Sequence, residues 1–345
     1  MTSPKHRVSM HLTGLGAEEL CHSAARAEAA GVESLWASEL YTSPWVQLAA
    51  VAAATHQVTL GTGVALAFVR SPMTLATSAL DLAELTRRPD GTGRFILGLG
   101  TGVKQLAERW HGVSVSQPVR RMRELIEFLR LFFARASTPE PIRYQGTFIR
   151  AEIDSYRRPG APAPTIPIYL GANRPGMLRL AGEVADGVLG HVFLSPRQLK
   201  EEVLPQVEAG LRSAGRARSE LTLSAGITTA IDADRATARR HAAGQLAFYA
   251  TVKTYHPFFA ADGFAAEIAA IREAFQRGER DTLVDHVTDA MVDTYCAAGT
   301  PDEVLARLRA YDGLLDVKGV SPPRHFCPPD AHEHYKAQIL ELFAR

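Results

Sequence analysis

Short apolar runs alternate along this chain with longer stretches whose apolar positions recur at helical spacing. Val8–Leu12 precedes the helical pattern Glu18–Ala30, Ser34–Ala37 precedes Trp45–Thr55, Val58–Val64 precedes Met73–Thr86, and Phe95–Leu99 precedes Val103–Arg135. The second half repeats the scheme: Ile166–Leu170 before Met177–Val184, Gly187–Gly190 before Gln198–Ala214, Leu221–Ala230 before Ala233–Ala250, and Leu314–Val320 before Asp330–Phe343. Runs this short and this apolar read as strands covered on both faces, and a helix after each strand predicts a parallel sheet. Eight such units predict an α/β fold of the closed kind, a (β/α)8 TIM barrel. Residues 1–345 then form one domain. The helical patterns of about 251–301 lie between the seventh and eighth strands and read as an insertion without a strand of its own.

A barrel carries its chemistry on the loops at the carboxyl ends of its strands, which narrows the candidates. After strand one stands His11, after strand two Ser38, Glu39, Tyr41 and Trp45, and at the end of strand three Gly63 and Val64. After strand four come Thr101 and Gly102, after strand five Gly171, Ala172, Asn173, Gly176 and Met177, and after strand six His191. The stretch Ile168–Met177 is the most informative, because a buried strand, a glycine-bearing turn and a helix start make an anion cradle. The first backbone N–H groups of a helix lack partners and carry its partial positive charge, so a phosphate can sit there. A phosphorylated cofactor is the expectation.

Gly98-Leu99-Gly100-Thr101-Gly102 departs from a dinucleotide fingerprint, since its third glycine falls one residue early and several strand–helix patterns precede it. Its small residues instead suggest a place where a flat ring approaches the backbone, and Gly61-Thr62-Gly63-Val64 suggests a bulge. Trp45, Tyr249 and Tyr255 are candidates to stack on a substrate, and His11, His191 and His256 to hydrogen-bond or move protons near neutrality. His332-Glu333-His334 lacks the spacing of a helical zinc pair, and no metal is expected.

Composition removes other classes. With 38 Lys and Arg against 37 Asp and Glu the net charge is +1, and no basic stripe runs along the sequence, so neither nucleic acid nor a membrane surface is the expected partner. A small molecule is. Three widely spaced cysteines fit neither a disulfide framework nor a zinc site and point to a reducing, cytoplasmic setting. Met1–Arg7 is followed by too few apolar residues for a signal segment.

The order of Ser34–Glu39, Leu60–Val64, Arg70–Ala76, Phe95–Gly100 and Ala181–Gly187 resembles the bacterial luciferase-like monooxygenase superfamily along nearly the whole chain. Glu108-Arg109, Pro118–Glu124, Gly190-His191 with Ser195-Pro196, and Phe248-Tyr249-Ala250 leading to Tyr255 are similar to its actinobacterial branch that uses the deazaflavin coenzyme F420. The resemblance implies hydride transfer between F420 and a small organic substrate, with Glu39 or His191 as proton donor or ring contact and His11, Trp45, Tyr249, Tyr255 and His256 around the substrate. It also implies a homodimer, a phosphate held by the Gly171–Met177 turn, and a cofactor ring packed on a bulge with a non-prolyl cis peptide, for which Gly63-Val64 is the matching position. FMN-dependent monooxygenation is the alternative within the fold. A barrel that binds flavin or deazaflavin without catalysis is the alternative of another class. The glucose-6-phosphate dehydrogenases of this superfamily have an active-site His and Glu where this chain has Leu40 and Val103, so that chemistry is not expected.

Overall fold

The computed structural model describes residues 6–160 and 162–344; the first five residues of the Met1–Arg7 segment lie outside it. In chain order the strands are β1 (Val8–His11), β2 (Ser34–Ala37), β3 (Thr59–Thr62), β4 (Ala65–Leu66), β5 (Phe95–Gly100), β6 (Ile142–Gln145), β7 (Arg150–Ile153), β8 (Ile168–Gly171), β9 (Gly187–Gly190), β10 (Thr222–Ile231), β11 (Cys296–Gly299) and β12 (Val317–Ser321). β1, β2, β3, β5, β8, β9, β10 and β12 pair in parallel in that order, and β12 closes on β1 through Val8↔Lys318 and Ser9↔Gly319. The closed eight-stranded (β/α)8 barrel expected from the sequence is the fold.

Helices cover the barrel because each follows a strand and buries one face on it. Leu48 and Val51 of helix Pro44–Ala52, and Leu75, Ala76 and Ala79 of helix Pro72–Leu85, are fully buried. Each such large apolar side chain stabilises the fold by about 1.5–3 kcal/mol relative to exposure. Proline stands in the first turn of both helices, where its missing N–H costs nothing. At the amino end of the barrel, charged side chains serve the fold. Arg94 is buried and donates to the carbonyls of Ala52, Thr55 and Val58 at 2.7–3.0 Å, while Asp186 accepts from the Ile168 N–H and Asp316 from the Leu223 N–H, both at 2.7 Å. The Arg88–Thr92 turn lies at this end too, where Arg88 donates to the carbonyl of Gln57 at 2.9 Å.

Three features differ from the sequence reading. The 251–301 insertion does contain a strand: β11 pairs in parallel with the last four residues of β10, from Thr228↔Cys296 to Ile231↔Gly299, outside the closed ring. Small residues carry it, so the apolar pattern does not show it. The Val103–Arg135 pattern is two helices, Lys104–Trp110 and Pro118–Arg135, separated by residues 111–117; Gly112, at φ 66°, follows the first and Gln117, at φ 46°, is the N-cap of the second. Between strands four and five of the barrel, β6 and β7 form an antiparallel hairpin. Among the described residues no helix is long and apolar enough to cross a membrane.

Candidate active site

The carboxyl-end loops gather into one mouth, and its floor is the turn after β3. There the peptide between Gly63 and Val64 is cis, as the resemblance implied. The two residues after β2 hold it. Ser38 Oγ donates to the Gly63 carbonyl at 2.8 Å, the Glu39 N–H donates to the Val64 carbonyl at 3.2 Å, and a Glu39 carboxylate oxygen accepts from the Leu66 N–H at 2.7 Å. Arg70 grips the same carboxylate with both guanidinium nitrogens, and its Cζ lies 5.8 Å from the centroid of the Trp45 ring. Such a two-pronged pair fixes geometry as well as charge. Glu39 is therefore occupied in bracing the floor.

Val64 explains two glycines that the sequence reading assigned to a ligand. A Cβ on Gly100 would collide with Val64 Cγ2, and one on Gly171 would stand 3.0 Å from Val64 Cγ1. Gly98 is equally filled from within, since a Cβ there would collide with the Thr62 backbone carbonyl; Thr62 Oγ1 also donates to the Gly98 carbonyl at 2.7 Å and accepts from its N–H at 2.9 Å. The glycines of Gly98-Leu99-Gly100 thus admit the neighbouring strand. Gly102, at φ 67°, makes the turn out of β5, and Thr101 donates to its carbonyl at 3.1 Å.

The opposite side is the helix start at Pro175–Val184. Arg174 is its N-cap residue and gives no side-chain cap; Pro175 has no N–H, and the Met177 and Leu178 N–H groups donate to the Arg174 carbonyl at 3.1 and 3.0 Å, so the Gly176 N–H is the first-turn donor left for an anion. A Cβ on the exposed Gly176 would meet nothing nearer than Val119 at 3.4 Å, whereas Met177 is buried and anchors the helix. Ala172, also buried, donates its N–H to the Leu189 carbonyl at 3.3 Å, and Asn173 Oδ1 accepts from the His191 N–H at 3.1 Å. The loops after β8 and β9 are locked together. Arg174 reaches over this ground to the Thr254 carbonyl at 3.3 Å, with Cζ 4.7 Å from the Phe258 centroid.

An aromatic wall closes the third side. The His191 ring lies 4.0 Å from Phe193, 4.8 Å from Tyr255 and, edge-on, 5.0 Å from Tyr249. Its Nδ1 is buried without a hydrogen-bond partner. Burial, reinforced by His11, pushes its pKa down to about 3, and burial raises Tyr249 to about 12, so both rings are neutral near pH 7. His256 stands apart: its Nε2 hydrogen-bonds the Ala250 carbonyl at 2.8 Å and braces the end of helix Arg235–Ala250.

His11 occupies the centre, open to the mouth at the end of β1, with Nδ1 3.1 Å from Ser38 Oγ. The surrounding walls, and then Arg324, lower its pKa to about 4. Arg324 follows β12 and was not legible as a site residue. Its N–H donates to Gln245 Oε1 at 3.0 Å, and next to it His325 stacks on Phe248 at 3.6 Å. Arg70 carried no assigned role either, because its partner Glu39 is remote in sequence.

The family model for luciferase-like monooxygenases matches residues 1–316. A 5,10-methylenetetrahydromethanopterin reductase of Archaeoglobus fulgidus is 31% identical over 86% of this chain and 87% of its own length. The coenzyme F420-dependent tetrahydromethanopterin reductase of Methanopyrus kandleri superposes with a TM-score of 0.79 at 23% identity, over 99% of this chain and 97% of that one. A type II Baeyer-Villiger monooxygenase of Pseudomonas putida, the oxygenating constituent of 3,6-diketocamphane monooxygenase, in complex with FMN, gives 0.70 at 19% identity over 99% and 97%. With its closed barrel, its floor at Gly63-Val64 and a family match over most of its length, the chain belongs to the luciferase-like monooxygenase family and is an oxidoreductase.

Proposed function

We propose that this oxidoreductase takes coenzyme F420 and moves a hydride between it and a small organic substrate. The observation that carries the reading is the mouth itself: a floor at Gly63-Val64 braced by Ser38, Glu39 and Arg70, with a helix start at Arg174–Met177 that has no side-chain cap. A tricyclic cofactor with a phosphorylated side chain fits those two features together. Val64, Ser38, Thr101 and Gly102 would border the ring, and the Gly176 N–H would meet the phosphate on a turn whose shape Gly171, Ala172, Asn173 and Met177 set. When bound, the deazaflavin supplies a two-electron hydride donor or acceptor. The chain's residues do the rest. Glu39 and Arg70 hold the floor in place, the wall of His191, Phe193, Tyr249 and Tyr255 excludes water, and Trp45 with that wall shapes the substrate side. Glu39 then acts as a positioning residue, and a neutral His191 as a hydrogen-bonding partner. The reductase relatives favour F420 over FMN, and the FMN complex of a structural neighbour makes FMN the competitor. Exposed Leu15, Tyr41 and Val46, in the segments that follow β1 and β2, support a homodimer.

Parallel titration of the purified protein with F420 and with FMN, followed by ring fluorescence, tests this. Low-micromolar binding of F420 with FMN much weaker is the expected result. The reverse preference, with oxygen consumed in turnover, overturns it in favour of monooxygenation. Tight F420 binding with no acceptor turned over would leave a carrier instead of an enzyme.

A further inference from the structure

Ser38 fixes which nitrogen of His11 carries the proton. Its hydroxyl has one hydrogen, and the Gly63 carbonyl, which can only accept, takes it at 2.8 Å. His11 Nδ1, 3.1 Å from the same oxygen, must then donate. A neutral imidazole protonated at Nδ1 carries a lone pair on Nε2. Among the described residues no hydrogen bond reaches Nε2, and the ring is open to the mouth. The charged and titratable groups around it are Arg324 after β12 and His191 after β9, and neither offers a carboxylate that would favour an imidazolium.

We infer that His11 meets the occupant of the mouth as a proton acceptor, its Nε2 binding an O–H or N–H group on the reacting carbon of the substrate, an alcohol or an amine. The inference rests on the oxidoreductase reading above and assigns the proton half of its chemistry. In the oxidation direction the C–H bond breaks and its electron pair leaves, as hydride, for the oxidised deazaflavin. The O–H or N–H bond breaks, its electron pair becomes the second bond of C=O or C=N, and the proton goes to Nε2. His11 then returns that proton to water. In the reduction direction a proton from water passes through Nε2 to the oxygen or nitrogen as hydride arrives at carbon. Ser38 acts by holding the tautomer, and through it the cis turn and the base are one assembly.

Nitrogen-15 NMR of the histidine rings in the ligand-free protein at pH 7 tests the tautomer without any cofactor. The His11 signal, assigned by its loss in His11→Gln, is expected to show a protonated Nδ1 and a bare Nε2, and Ser38→Ala is expected to shift population toward the Nε2–H form. A protonated Nε2 in the wild-type protein overturns the inference. For the reaction, His11→Gln retains an acceptor but no base, and kcat for alcohol or amine oxidation is expected to fall by about 10²–10⁴-fold with little change in KM. An unchanged kcat and pH profile would overturn the role even with the tautomer as stated. Absence of F420 and FMN binding in the titration above defeats the cofactor reading, while the NMR result stands on its own.

Discussion

Gly176 is where one added group distinguishes an anion site from an ordinary helix start. Its position is exposed, and a Cβ there has only Val119 within contact, at 3.4 Å. Gly176→Ala is therefore tolerated. Gly176→Asp places a carboxylate at the helix start, where it repels any incoming phosphate. Negative charge at a helix start is favourable to the helix by about 0.3–1 kcal/mol, so the variant stays folded. Affinity for the phosphorylated cofactor is expected to drop at least about tenfold, a change of about 1.4 kcal/mol. Fluorescence titration of both variants checks it. Equal affinity for wild type, Ala and Asp would place the phosphate elsewhere. The role of Glu39 also belongs to this scale. Its side chain is 9% exposed and its oxygens already receive Arg70 and the Leu66 N–H, so it holds the floor instead of serving as a free acid.

The barrel strands were legible because they are buried on both faces and so read as apolar runs, and their order follows from right-handed strand–helix–strand connections. The elements missed are those for which that signal fails. β11 is Cys296-Ala297-Ala298-Gly299, without a β-branched or large residue, and it is held by its register on β10. β6 and β7 carry charged residues on a surface hairpin in which Arg143 pairs across to Glu152, so their apolar content never forms a run. The glycines of β5 were visible, but which neighbour fills the missing Cβ depends on Thr62 and Val64, whose proximity only the folded barrel reveals. The pairing of Glu39 with Arg70 spans 31 residues and leaves no periodicity. The exit from β11 supplies a prediction at this scale. Helix Pro301–Arg309 begins at Thr300, whose N–H and Oγ1 both donate to Glu303 Oε2, at 2.9 and 3.2 Å. Thr300→Ala removes the hydroxyl bond to Glu303, and a loss of about 0.5–1.5 kcal/mol in urea unfolding is expected, with cofactor affinity unchanged because this helix start lies beyond the site. A loss of affinity of the same size would mean that the insertion and the mouth unfold as one unit.

At the scale of the whole molecule, an open mouth lined with neutral histidines makes the fold sensitive to acid. Burial holds His191 at about 3, and burial followed by Arg324 holds His325 at about 4, against 6.5 in the unfolded chain. Below pH 6.5 the unfolded chain takes up protons that the folded one refuses. Stability then falls as pH drops, beginning near 6.5 and continuing toward the folded-state values, by up to about 1.4 kcal/mol per pH unit for each fully shielded ring. His11, held at about 4 by burial and then Arg324, acts in the same sense. Most carboxylates titrate near pH 4, so unfolding measured between pH 7 and pH 5 reports on histidines. His191→Phe keeps an aromatic ring against Phe193 and Tyr255 and removes one titrating group. Urea unfolding of wild type is expected to lose stability steadily from pH 6.5 to pH 5, with the variant losing about 1.4 kcal/mol per unit less and overtaking it at the acid end. Parallel profiles for the two proteins would mean that the folded His191 accepts its proton at an ordinary pH, and that the aromatic wall admits water in a way incompatible with a dry site for hydride transfer.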